Sequence, residues 1–247
     1  MEIVQESLTK CKGSVMLQSV RKTEVQMRVL IGYSRDVVTL NIMRAKGIEA
    51  YTCDLLPAEH EFHLQGDAWS YLGQDWDFAI LHPMCKYLTC SAAWAFTDGP
   101  YHQKVKPGTL VGEPRRVARD AEIENFKKLL ALPYPKAIEN PARSFLSKAI
   151  RKPDQTIQPY NFGDDASKLT GFWKDPCVPD LVNTTRKSGR IVDWCGKKVE
   201  RWSNQTDSGQ NKLPPSEDRW LDRSKTYKGV AEAMGEQWGN WLMLNSR

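Results

Sequence analysis

Two proline-terminated stretches hold the residue types that can do chemistry. Phe78-Ala79-Ile80-Leu81-His82-Pro83-Met84-Cys85 opens as a short apolar run without helical period, which predicts a buried strand of a parallel sheet. Pro83 ends it, because proline cannot donate to a sheet ladder. Cys85 then falls just past the strand's carboxyl end, the edge where ligands gather in open α/β sheets. Pro135-Lys136-Ala137-Ile138-Glu139-Asn140-Pro141 repeats the pattern and brings Glu139 and Asn140 to the same edge. A thiolate facing a carboxyl group is a catalytic arrangement: one attacks, the other holds or protonates what is attacked. The residue types alone also allow a plainer reading. Free cysteine is often buried and inert, and Glu139-Asn140 also suits a cap for a helix over 143–151.

These residues need a scaffold, and the chain predicts one. Arg28 to Tyr33 reads as a first strand, Ser34 as the cap of a helix over 36–46, and Gly47 as its stop. Ile48 to Cys53 reads as a second strand ending in Asp54. That order is the front half of a Rossmann-like unit, in which an acid in this place takes ribose hydroxyls; Asp54 also suits a simple turn. Gly66-Asp67, before a short helix over 68–73, can meet an adenine edge. Residues 97–113 predict a basic loop over the site, with Lys104 and Lys106, and Pro114 opens a helix to about 131. Gln155–Phe162 and Leu169–Lys174 read as two further strands joined at Gly163-Asp164-Asp165. Lys168, just before the second, can reach a phosphate or a base. A final helix over about 230–242 places Val230, Ala233, Met234, Trp238 and Trp241 on a core face.

Composition narrows the class. A chain of 247 residues, 26% charged and 40% apolar, suits a soluble domain with a small insertion. No run is long and apolar enough for a membrane span, and Met1 to Lys12 has no signal-type stretch, so no membrane association and a cytoplasmic location are expected. None of the six cysteines forms a CxxC pair, so no metal site is expected. Residues 174–228 hold 12 Lys and Arg against 8 Asp and Glu, with Trp194, Trp202 and Trp220 among them. Basic residues interleaved with aromatics suit nucleic acid; a solvated lobe with core tryptophans has the same composition.

The ordered series Asp54, Gly66-Asp67, His82-Pro83-Met84-Cys85, Glu139-Asn140-Pro141 and Thr226-Tyr227-Lys228-Gly229-Val230 resembles the DNA cytosine-5 methyltransferases. It is most similar to the compact cytosine methyltransferase-like proteins of bacteriophages, over roughly 28–173 and 214–239. The resemblance implies a Rossmann-like α/β methyltransferase fold: a mostly parallel sheet with helices on both faces and a small basic insertion. Residues 1–27 would be an N-terminal extension, 28–174 plus 214–247 the catalytic domain, and 175–213 the target lobe. It further implies S-adenosyl-L-methionine as cofactor and cytosine-containing DNA as substrate, in the host cytoplasm if a phage encodes the chain. Cys85 would add to C6 of cytosine, Glu139 would hold N3, and Asn140 would complete the catalytic set. Gly32, Tyr33, Ser34, Asp54, Gly66, Asp67, His82 and Pro83 would hold the cofactor. Lys86, Lys104, Lys106, Lys168, Arg186, Lys187, Arg190, Lys197 and Lys198 would meet the nucleic acid. The chain departs from the family at Arg35, where a glycine is expected, and at Met84, in place of a proline. Its short lobe also fits a partner protein for target recognition, a free cytosine nucleotide as substrate, or a non-catalytic nucleic-acid-binding relative.

Overall fold

The computed structural model describes residues 26–101, 104–213 and 219–245. The 1–27 extension, apart from Gln26 and Met27, lies outside them. The described residues form nine strands: β1 (Arg28–Gly32), β2 (Glu49–Asp54), β3 (His63–Gln65), β4 (Phe78–Leu81), β5 (Lys136–Pro141), β6 (Gln155–Ile157), β7 (Thr170–Lys174), β8 (Arg190–Trp194) and β9 (Lys197–Arg201). The first seven form one sheet in the order β3-β2-β1-β4-β5-β7-β6; β8 and β9 form a separate hairpin. Strands β1 to β5 pair in parallel, and β7 runs antiparallel to both neighbours. This is the α/β architecture expected, compatible with a Rossmann-like fold.

Period-2 alternation sorts the apolar strand residues onto two faces, and helices cover both. Val29, Ile31, Phe78, Ile80, Ala137 and Phe172 pack in one core cluster with α1 (Val37–Ala45) and the C-terminal helices. Leu30, Ala79, Leu81, Ile138 and Trp173 pack in the other with α2 (Trp69–Leu72) and α3 (Gly112–Leu130). The helical spacing of Ile123, Phe126, Leu129 and Leu130 predicts one sheet-covering face of α3; the first three are buried and Leu130 is partly buried, while Trp238 is core.

Several boundaries differ, each for a local reason. Asp36, not Ser34, caps α1: its carboxylate accepts the Val38 and Thr39 N–H groups, while Ser34 Oγ accepts from Asp36 N. The 155–162 segment stops being a strand at Ile157, because Pro159 opens a 3₁₀ turn over Pro159–Phe162. The helix over 143–151 shrinks to α4, Leu146–Ala149. Cys90–Phe96 forms 3₁₀ turns with no sequence signal. After α5 (Arg219–Ser224), the final helix runs from α6 (Lys228–Ala233) through a π-turn at Met234–Trp238 into α7 (Gly239–Asn245).

The basic lobe begins later than residue 175. Val178 and Leu181 are buried in the main core, and Leu181 exchanges hydrogen bonds with the Gln155 side chain. Beyond Leu181, the hairpin turns through Cys195 and Gly196, both at positive φ, as a two-residue hairpin loop requires. Among the described residues no helix is long and apolar enough to cross a membrane.

Candidate active site

The parallel register assembles the site. Ile80 lies beside Ala137 and Leu81 beside Ile138, so the next pair along is His82 beside Glu139, on the same face. His82 Nδ1 stands 3.5 Å from Glu139 Oε2. Lys168 enters from the loop before β7, its Nζ 3.7 Å from Glu139 Oε1. Burial alone would raise the Glu139 pKa, but Lys168 and then His82 outweigh it and hold the carboxyl at about 2. Glu139 is therefore a carboxylate, pinned from two sides.

Cys85 approaches the same charges from the solvent side. It is exposed, yet packing around the thiol pushes its pKa up, and Glu139 pushes it further, against the opposing pull of Lys168 and Arg223. Its carbonyl accepts the Leu88 and Thr89 N–H groups, so the cysteine opens a tight turn. Asn140 is fully buried on the opposite face of β5 from Glu139. Its Nδ2 donates to the Pro83 carbonyl at 3.2 Å, and its Oδ1 has no hydrogen bond among the described residues. Asn140 thus grips the loop that carries Cys85, while Glu139 faces the cleft.

Sequence reasoning missed Arg115. Buried on α3, it donates to the carbonyls of Leu110 and Lys86, tying the 97–113 loop to the residue after Cys85. Its guanidinium also stacks over Phe96. An arginine at the start of a helix, in a basic stretch, carries no signal for this.

A small cavity of about 20 Å³ lies beside Glu139, lined also by His82, Lys168, Thr170, Tyr227 and Met234. That is room for about one water.

The residues assigned to a cofactor gather at the point where strand order reverses, between β1 and β4. There the His82 N–H donates to the Gly32 carbonyl. Tyr33 sits at φ +57, a strained left-handed turn for a side-chain-bearing residue. Its hydroxyl is buried beside the Asn125 side chain, with no well-aligned hydrogen bond among the described residues; burial and then Asp67 drive its pKa far up, against the pull of Asn125. Asp54 Oδ1 accepts from Leu56 N, as the turn reading had it, and Asp67 Oδ1 accepts from Trp69 N. Among the described residues, each carboxylate keeps its second oxygen uncommitted. Ser34 N is spent on the Cys53 carbonyl. Arg35 reaches the Pro57 carbonyl at 3.2 Å, along the rim of the β2–β3 loop. His82, assigned with Pro83 to the cofactor, instead turns its ring to Glu139. The orphaned Tyr33 hydroxyl and the two half-free carboxylates fit an adenosyl group with its ribose.

The lobe residues divide. Arg186 makes a paired contact with Glu200 on the surface, and Arg190 donates to Trp202 O, Gln205 O and Asp207, so both guanidinium groups are already engaged within the lobe. Trp202 stacks on Tyr160 at 3.9 Å between ring centres, which removes it as a platform for a base. Lys187, Lys197 and Lys198 are exposed without side-chain partners among the described residues, and Trp194 is exposed at the hairpin tip. The Trp220 side chain lies outside the described residues. Lys86, Lys104 and Lys106 are also exposed, with the Lys86 Nζ 5.2 Å above the Tyr87 ring. Among the described residues no cluster of three metal-binding side chains occurs.

No family model matches this chain. No curated protein matches it either.

Proposed function

We propose that this protein is an S-adenosyl-L-methionine-dependent cytosine-C5 methyltransferase acting on DNA. One observation carries the reading: Cys85 follows β4 and Glu139 ends the adjacent parallel strand β5, near enough for the Glu139 charge to act on the thiol, with Asn140 holding the Pro83 carbonyl of the loop that carries Cys85. Cytosine C5 is a poor nucleophile while its ring stays aromatic. Addition of the Cys85 thiolate to C6 breaks the aromaticity and makes C5 electron-rich. Glu139 faces N3 and steadies the ring during that addition. Lys168, beside Glu139, balances the charge that develops. In a duplex the base has to leave the stack first.

S-adenosyl-L-methionine, when bound, supplies the electrophilic methyl group. Asp54 and Asp67 would hold its ribose and adenine through their uncommitted oxygens, and the Tyr33 hydroxyl would gain a partner. Exposed Lys197 and Lys198 would meet phosphates from the hairpin.

Incubation with DNA containing 5-fluorodeoxycytidine tests this. A covalent adduct that needs cofactor and disappears in Cys85→Ala supports it; no adduct with wild-type protein sinks it. A second reading, methylation of a free cytosine nucleotide, draws on the spent arginines of the lobe: with Arg186 paired to Glu200 and Arg190 to Asp207, less uncommitted charge is left to grip a long duplex. Product formed from dCMP without DNA would select it.

A further inference from the structure

The β8–β9 hairpin is tied down at one end and bare at the other. At its base Gly189 N donates to Glu200 Oε1, and Arg190 donates to Trp202 O, Gln205 O and Asp207. Arg201, opposite Arg190, donates to the carbonyls of Glu200 and Asp207. At the tip, Trp194 pairs with Lys197 across the two-residue turn. The register sets Trp194, Lys197, Val192 and Val199 on one face, and Ile191, Asp193, Lys198 and Glu200 on the other. Trp194 is 43% exposed, and its ring has no hydrogen bond or ring contact among the described residues. Neither hydrophobic cluster of the main domain contains a hairpin residue. A two-stranded hairpin is marginal alone, so the tied base serves to hold out a tip that adds nothing to the core.

Charge selects what that tip meets. Residues 186–201 hold six Lys and Arg against one Asp and one Glu. Arg186 takes up Glu200 and Arg190 takes up Asp207, which leaves Lys187, Lys197 and Lys198 exposed without side-chain partners among the described residues. An exposed indole among lysines is complementary to a phosphate backbone that carries an unstacked base. Ile191, the other large apolar side chain exposed on the hairpin, lies on the opposite face from Trp194, so the tip offers a protein partner no continuous apolar patch. In a duplex each base hides its two faces against its neighbours. Only an unpaired base can present a face to the indole.

We propose that the Trp194–Lys197 tip of the hairpin is a stacking site for an unpaired base of single-stranded DNA; the choice of cytosine-containing DNA rests on the reading above. The base lies on the indole, Lys197 takes an adjoining phosphate, and Lys187 and Lys198 add charge along the strand. DNA held in this way is already unpaired, so a cytosine in it reaches Cys85 without the cost of leaving a duplex.

Binding of an oligodeoxycytidine of about 12 nucleotides, read by tryptophan fluorescence without cofactor, tests the site. Wild-type fluorescence is expected to be quenched as the strand binds. Trp194→Ala is expected to bind about 5- to 150-fold more weakly with the same dependence on salt, because a stack is lost and no charge. Trp194→Phe is expected to keep its affinity within about threefold and to lose most of the quench, since phenylalanine still stacks. A duplex of the same length should bind wild type and Trp194→Ala equally. Wild-type affinity of Trp194→Ala for the single strand overturns the stacking site. So does a strand of the same length without bases that binds as tightly as oligodeoxycytidine. Quenching of Trp194 by phosphatidylserine vesicles but not by the single strand makes the tip a membrane contact and overturns it too. The binding test needs no turnover, so the two readings fail separately. Protein that passes it yet forms neither adduct nor 5-methylcytosine sinks methyl transfer and leaves the stacking site standing.

Discussion

Asn140 donates to the carbonyl of Pro83 from a neighbouring strand, at 3.2 Å and with no solvent exposure. The bond crosses from β5 to the loop of Cys85, so the thiol's position depends on a side chain that never reaches the cleft. Asn140→Ala leaves the Pro83 carbonyl unpaired and frees the loop. A stability loss of about 1–3 kcal/mol in urea denaturation is expected. Turnover should fall more than substrate affinity, because the nucleophile loses its alignment. Unchanged kcat with lowered stability would assign Asn140 to the fold alone.

Glu139 titrates at about 2 against an ordinary 4.5. A folded-state pKa below the unfolded one contributes stability at pH above the unfolded value, which drains away as pH falls from about 4.5 to 2. The size is about 3 kcal/mol. Glu139→Gln removes the titrating group, so the stability gap between wild type and variant should be widest above pH 4.5 and close toward pH 2. Parallel melts across that range check it.

Cys85 should react slowly with iodoacetamide at neutral pH, since its pKa stands above that of an ordinary thiol. Glu139→Gln removes a repelling charge and is expected to speed its alkylation. Lys168→Met removes an attracting one and is expected to slow it. Peptide mass spectrometry separates Cys85 from the other exposed thiols, Cys90, Cys177 and Cys195. Equal rates in both variants would show that the thiol does not feel the pair.

The lobe offers a contrast between lysines that face solvent and arginines already paired within it. If the hairpin grips phosphates, each of Lys187→Ala, Lys197→Ala and Lys198→Ala should lower the slope of log affinity against log salt by about 0.7–0.9. Arg190→Ala should instead lower the melting temperature, since it removes bonds to Trp202 O, Gln205 O and Asp207. Salt titrations with short DNA, alongside thermal melts, separate the two effects.

The sheet was legible because its strands are short apolar runs stopped by prolines and polar residues, and such runs depend little on distant contacts. The placement of Cys85 and Glu139 followed from the same logic. The partner of His82 was not legible: it follows from the register of β4 on β5, which no local pattern encodes. Arg115 and Asn140 act through backbone carbonyls, and backbone acceptors are the same at every position. The lobe misled because composition counts charges and rings without showing which are already paired. Gly229 was legible as a motif but not as a cause. A Cβ there would lie 1.9 Å from the Phe162 carbonyl oxygen, so only glycine lets α6 close against that turn.

Asn204, out in the lobe, accepts the Ser167 N–H and donates to both the Ser167 carbonyl and the Tyr227 hydroxyl. Lys168 is the next residue after that grip, and Tyr227 lines the cavity beside Glu139. The lobe is therefore no transplantable cassette. A graft that swaps it for a foreign reading head without an asparagine in this place would unmoor the lysine as well, and alter the chemistry it was meant only to redirect.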